Sequence, residues 1–383
     1  MEMIQRTAKV RCNLLREKMT FIIDAHQDLA YNSLLLNRDL LLSAMQVREN
    51  ERRSPIPFYT DTCSVGWPDF QRGQVALIFA TLFVPPYKYR GGDWDTLCYQ
   101  NWEQARTLFS RQCDFYDRLA EEHPDKFTLV VNRKTLKETL KPWRTQPADF
   151  PAVTHPTGLI LLMEGAEGME SPDELEYYYG RGLRMLAPVW SGARYCGGSY
   201  ENRPFDREGM ELLRAMEELK ITLDISHMTA QASLHAMEHF SGAVIASHSN
   251  ARTVIKGACG ERHLTDETFL RLIEHDGMTG INLYNRFLKA DVTASDPKTA
   301  VSLADVVAHI DHFCQLAGDA RHVGIGTDLD GGFGSQKIPA EIDTIADLPL
   351  LAQALREKGY NGEDIDGILG ENWNRILEKT LPE

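Results

Sequence analysis

Five short apolar runs in this chain each stop at a histidine or a carboxylate. Phe21-Ile-Ile23 leads into Asp24-Ala-His26-Gln-Asp28, Leu159–Met163 into Glu164, Ile221–Ile225 into His227, Ala243–Ala246 into His248, and Val323–Gly326 into Asp328. Runs of this length, bounded by polar residues, read as buried strands. His26 and Asp28 stand two apart at a strand end, so their side chains point the same way. Three further runs, Gln74–Phe83, Leu183–Val189 and Met278–Leu283, bring the strands to eight. Between them, Glu208–Leu219, Ala230–Phe240, Asp266–His275 and Leu303–Leu316 carry apolar residues at the three- and four-residue spacing of amphipathic helices. Alternating strands and helices make either a doubly wound sheet or a closed barrel. The polar strand ends decide between them. Side chains from the first, third, fifth, sixth and eighth strands meet only if the sheet closes. The expectation is therefore an α/β fold, a (β/α)8 TIM barrel with insertions, with its site at the C-terminal face of the strands.

Histidines and carboxylates delivered together from separate strands are a set of hard and borderline metal ligands, and imply a metal-dependent hydrolase. The rest of the chain narrows the partners. A net charge of −14 disfavours nucleic acid or an anionic membrane surface as partner. No apolar run approaches the length of a membrane helix. Seven cysteines are scattered without a CxxC pair, which suits a reducing, cytoplasmic setting. Residues 1–18 are basic but lack the apolar core of a secretory signal, and read as an N-terminal extension to one domain, 19–383. Residues 85–157 are too long for one crossover and include a helical stretch, Asp95–Glu122. Residues 191–207 form a Gly-rich loop after the fourth strand.

The motifs form an ordered set: His26-x-Asp28, Glu164-Gly, Leu223-Asp-Ile-Ser-His227, Ser247-His248-Ser-Asn, Gly280-Ile-Asn-Leu-Tyr284 and Gly324-Ile-Gly-Thr-Asp328-Leu-Asp330-Gly-Gly. In this order they resemble the membrane (renal) dipeptidase family, the M19 metallopeptidases of the amidohydrolase superfamily. The resemblance runs from Thr20 to Gly370-Glu-Asn-Trp-Asn-Arg-Ile-Leu. It implies two divalent metal ions, with His26 and Asp28 on the first, His227 and His248 on the second, and Glu164 bridging both. Imidazole and carboxylate ligands together suit zinc. The implied reaction is hydrolysis of a dipeptide, or a related small amide with a free carboxylate, by a metal-bridging hydroxide. Asp328 would pass the proton to the leaving amine, with Asp330 second in rank for that role. Arg262 corresponds to the arginine that grips the substrate carboxylate. Tyr284 and Asn285 would line the pocket from the seventh strand. Family members are often homodimers, so a homodimer is implied as well.

One position departs from the family. Where its fourth strand ends in a histidine facing the metals, this chain has Trp190, in Leu186-Ala-Pro-Val-Trp190. An indole is donor-only and holds no proton in exchange. Trp190 itself, Arg194 and Tyr195 are the candidates to replace the lost oxyanion donor. The departure opens an alternative: an amidohydrolase acting on an N-acyl amino acid, a lactone or a modified peptide. A third reading is a binding protein that keeps the fold without hydrolysis, against which the retained ligands argue. Other histidines read as structural. His235 and His239 fall on the outer face of a helix, and His309, His312 and His322 lie in the last crossover or at the base of the eighth strand.

Overall fold

The computed structural model describes residues 21–145, 153–191, 194–293 and 295–383. The N-terminal extension expected over residues 1–18 lies outside the described residues, as do positions 192 and 193 of the Gly-rich loop. Nine strands form: β1 (Ile22–Gln27), β2 (Val75–Phe83), β3 (Phe127–Leu129), β4 (Thr157–Glu164), β5 (Leu183–Ala187), β6 (Thr222–Asp224), β7 (Val244–Ile245), β8 (Thr279–Ile281) and β9 (Val323–Ile325). Eight of them run parallel in the order β7-β6-β5-β4-β2-β1-β9-β8. The remaining seam, β7 to β8, is a single bridge between Ala246 and Thr279. There the Ala246 N–H donates to Met278 O at 2.9 Å and the Gly280 N–H to Ala246 O at 2.8 Å. This is the (β/α)8 barrel that convergence of the ligands requires.

β3 had no sequence signal, because three residues are too few to show a period. It pairs with Thr157–Leu159 of β4, below the stretch Leu161–Glu164 on which β5 pairs. The helix expected from Asp95 begins at Trp102 instead, with the Asn101 side chain accepting the Gln104 N–H at 3.0 Å. The preceding residues fold back: Tyr99 bridges Pro86, and the Asp95 N–H bonds to Gly92 O at 3.1 Å. The four later helices form within a residue or two of expectation, as Arg207–Leu219, Ala230–His239, Asp266–Glu274 and Leu303–Ala317. The first three start where Asp206, Thr229 and Thr265 accept a backbone N–H of the first turn. Among the described residues, no helix is long and apolar enough to cross a membrane.

Alternation along the strands divides the core in two. Leu159, Leu161 and Met163 of β4 pack outward against the helices, while Ile160 and Leu162 join Ile23, Phe79, Met185 and Ile245 in an inner cluster. β1 changes phase within this pattern. From Asp24 to Gln27 it advances three residues while β2 advances two, Ile78 to Ala80. The extra residue is a bulge. It brings Ile23 inward in the lower layer and His26 inward above it.

At the seam, the strands approach so closely that a Cβ on Gly280 or Gly326 would run into the carbonyl of Ser247. Gly326→Ala is therefore expected to cost roughly 1–3 kcal/mol by overpacking. The check is the denaturant midpoint, which should fall without a change in slope.

Candidate metal centre

The strand ends bring His26, Asp28, Glu164, His227, His248 and Asp328 together at the barrel mouth. Glu164 closes β4 with its carboxylate facing two ways. Oε1 lies 3.0 Å from His227 Nε2 and 3.4 Å from His248 Nε2, while Oε2 lies 3.8 Å from His26 Nε2. His26 Nε2 is also 3.8 Å from Asp28 Oδ1 and from Asp328 Oδ1. The Nε2 atoms of His227 and His248 are 2.9 Å apart. Two overlapping groups result, His26–Glu164–His248 and His26–Asp28–Asp328, each with ligand atoms within 4.8 Å of one another.

The electrostatics of this cluster suit a cation. Burial pushes Glu164 and Asp328 well above the usual carboxylate range, and the charge of Asp28 adds to it. Burial likewise raises Asp28 to about 6. The imidazoles move the other way: burial and the charge of Arg262 drive His26 down to about 3, and His227 and His248 well below their usual value. Neutral imidazole lone pairs thus face carboxylates that repel one another. Glu164 Oε1 is buried and accepts no hydrogen bond, a costly state unless another charge meets it. Three imidazole nitrogens and three carboxylates around one point are the donor set of a divalent ion. The residues present fit it.

A second layer fixes these donors. His248 Nδ1 lies 2.7 Å from Ser247 Oγ, which in turn donates to Asp224 Oδ2 at 2.5 Å. Asp224 Oδ1 accepts the N–H groups of Ser226 and Ser247, each at 2.9 Å. This chain sets the His248 tautomer and leaves Nε2 free for a metal. Asp28 accepts a hydrogen bond from Thr81 Oγ1, and the Thr81 carbonyl takes the Tyr116 hydroxyl at 2.9 Å. Asp328 Oδ2 accepts from Asn282 Nδ2 at 2.8 Å. His227 and Asp328 sit at φ 67° and 58°, left-handed conformations that non-glycine residues adopt at a cost. The motifs Leu223-Asp-Ile-Ser-His227 and Gly280-Ile-Asn-Leu-Tyr284 contain Asp224 and Asn282 but do not mark their supporting role. The available signal was a polar residue set inside an apolar strand, which must find a partner on folding.

Above the ligands opens a cleft of ≈ 770 Å³. Arg262, Tyr284 and Trp190 line it. Arg262 is buried, with Nη2 donating to His248 O at 3.0 Å, Nη1 to Ser249 Oγ at 3.2 Å, and Nε without a partner. Tyr284 stacks on Phe333, with centroids 4.5 Å apart. Trp190 packs edge-on against Phe83 and stands 6.1 Å from the His227 ring. Four expectations change. Arg194 points away, paired with Glu208 at 2.6 Å and donating to the carbonyls of Met169 and Glu170. Tyr195 is buried in the outer core. Neither reaches the cleft, because the loop folds back onto the helix Arg207–Leu219. Asp330 borders the cleft, but its carboxylate accepts from Ser64 N at 2.9 Å and Oγ at 2.5 Å and pairs with Arg38 at 3.4 Å. Its carboxylate is thus engaged by Ser64 and Arg38 rather than by the ligand cluster. Asn285 is buried and does not line the cleft.

The histidines expected to be structural bond away from the cluster. His309 is buried between the Ala251 N–H and the Leu288 carbonyl. His312 bonds to Asp266 at 2.8 Å, and His322 to Gly277 O at 2.7 Å. His239 is exposed and bonds to the His235 carbonyl on its own helix.

The family model for membrane dipeptidases, peptidase family M19, matches residues 11–381. A Schizosaccharomyces pombe protein described as an uncharacterized dipeptidase is 26% identical over 395 aligned positions, 99% of this chain and 84% of that one. An uncharacterized Klebsiella pneumoniae protein from the pqqA 5′ region is 32% identical over 233 residues, 58% of this chain and 82% of that one. Among solved structures, a metallopeptidase from Rhodobacter sphaeroides, liganded with a phosphinate mimic of L-Ala-D-Ala, superposes with a TM-score of 0.75. It is 23% identical, covering 94% of this chain and 99% of that one.

The Asp224–Ser247–His248 chain generates a direct test. Ser247→Ala should weaken retention of a divalent ion about 10–100-fold, the usual cost of losing a ligand's outer partner. Competition against a graded series of chelators measures it.

Proposed function

This chain belongs to the membrane dipeptidase family, peptidase family M19, and on that premise we propose that it is a two-zinc dipeptidase acting on substrates with a free terminal carboxylate. The observation that carries this reading is the divided carboxylate of Glu164, with one oxygen toward His227 and His248 and the other toward His26. His26 and Asp28 would hold one ion, His227 and His248 the other, and Glu164 would join both. Divalent ions bound there supply a Lewis acid for the scissile carbonyl and acidify a water at neutral pH.

The protein's own groups do the rest. Asp328, with Oδ2 held by Asn282 and Oδ1 toward the ligand cluster, takes the proton released in the attack and returns it to the leaving amine. Arg262, which borders the cleft and is anchored through Nη1 and Nη2, grips the substrate carboxylate. Trp190 walls the cleft next to His227, in the place of the family's strand-end histidine. That wall favours one second reading, an amidohydrolase for N-acyl amino acids, lactones or modified peptides.

Two measurements test the proposal. Purified protein should hold close to two zinc ions per chain by elemental analysis, and the loaded protein should turn over dipeptides faster than matched N-acyl amino acids or lactones. The reverse ranking would establish the second reading. Arg262→Ala should lower kcat/KM for dipeptides about 10- to 100-fold, mainly through KM, the scale expected for a lost charge-assisted pair of roughly 1.5–3 kcal/mol. C-terminally amidated analogues should lose far less. Equal losses on acids and amides would show that Arg262 is not the carboxylate grip.

A further inference from the structure

We infer that the cleft carries a preformed aromatic subsite for the N-terminal residue of the substrate, selecting dipeptides with a large apolar or aromatic side chain there. The inference rests on the dipeptidase reading and names its substrate class.

The placement follows from the barrel. Around the ring β7, which leads to Arg262, lies four strands from β2, which leads to Tyr89 and Trp94. In a ring of eight strands these loops face each other across the mouth. A dipeptide whose carboxylate is held at Arg262 runs over the ligand cluster toward the β1 and β2 side. Its N-terminal side chain then meets the far wall.

That wall is aromatic. Tyr59 and Trp94 stack with ring centroids 5.2 Å apart and planes within 3°. Tyr89 and Tyr200 stack at 5.1 Å and 17°. All four border the cleft, and the two members of each pair come from segments distant in sequence. Trp94 is held flat from its other side, since a Cβ on Gly91 or Gly92 would press on its ring at 2.7–2.9 Å. The Asp95 carboxylate accepts the Gly91 N–H at 3.0 Å and keeps that turn closed under the indole. Deeper in the cleft, Phe83 stands edge-on to both Tyr31 and Trp190, at 5.2 and 5.0 Å.

Two arguments turn this wall into a preference. The cleft, at ≈ 770 Å³, is of the size that encloses a drug-sized molecule, and two alanines would leave most of it to water. Rings already stacked against neighbours also lose little freedom when a ligand binds, so apolar contact made there is retained as selectivity. Lys88 and Arg90 lie over the Tyr89 and Tyr87 rings, at 4.9 and 3.8 Å, and Arg90 is paired with Asp93 at 2.6 Å, so the apolar faces of the stacked rings rather than a charge define this wall.

The test pairs turnover with binding. Kinetics on Ala-Ala, Leu-Ala, Phe-Ala and Lys-Ala should rank Phe-Ala about tenfold above Ala-Ala in kcat/KM, through KM, with Lys-Ala not improved. Phosphinate mimics of Phe-Ala and Ala-Ala should differ in affinity by the same factor. Tyr59 and Tyr200 are 40% and 70% exposed, so Tyr59→Ala and Tyr200→Ala should fold, and each should shrink the Phe-to-Ala ratio at least about threefold. Equal affinity for both mimics, alongside ready hydrolysis of both dipeptides, would overturn the subsite and leave the dipeptidase function standing. Discrimination between the mimics without turnover of any dipeptide would support the subsite and remove the function.

Discussion

Everything at the barrel mouth depends on one imbalance of charge. Asp28, Glu164 and Asp328 are buried together, and the positive group whose charge reaches both Glu164 and Asp328 is Arg262. Arg262 is itself held among the ligands by the His248 carbonyl. Burial and mutual repulsion hold the carboxylates toward their protonated forms despite that guanidinium, and burial holds the imidazoles neutral. A cluster of this kind persists in a folded protein when a multivalent cation completes it. The membership of the chain in a metallopeptidase family agrees with that physical demand.

The scaffold meets the demand by fixing each donor from behind. A bulge rephases β1 so that His26 enters the interior. Asp224 and Ser247 set the tautomer of His248, and Asn282 holds one oxygen of Asp328. Asn32 adds a tie between the two ends of the site, donating to both Asp28 O and Asp330 O at 3.0 Å. Asp330, in turn, spends its carboxylate on Ser64 and Arg38. The result is a set of ligands preorganised by hydrogen-bonded neighbours. The strained backbone at His227 and Asp328 is offset by this network.

Chemistry and selectivity occupy different parts of the fold. The ligands stand on strand ends, where the barrel leaves little freedom. The aromatic wall of the cleft comes from the long connections after β1, β2 and β5, which are free to vary while the barrel stays intact. Trp190 sits where the two meet, against Phe83 on one side and near His227 on the other. A reaction common to a family and a substrate particular to one member can therefore coexist on one scaffold.

The amino-acid sequence alone determined the eight barrel strands, the four late helices, the closed barrel and the convergence of His26, Asp28, Glu164, His227, His248 and Asp328. These follow from local periods and from residue types at strand ends, and both are written along the chain. Tertiary structure decided which polar residues near those ends belong to the site. Asp328 and Asp330 are two residues apart on the same loop, yet one faces the ligands and the other Arg38, because left-handed backbone at both positions breaks the strand alternation that sequence reasoning assumes. Arg194 and Tyr195 follow the fourth barrel strand, as a residue of the ligand cluster would, but the loop turns back and spends Arg194 on Glu208. Tyr59, Trp94, Tyr89 and Tyr200 carry no shared local pattern at all. Their segments are far apart in sequence, and only closure of the barrel puts their connections on the same side of its mouth.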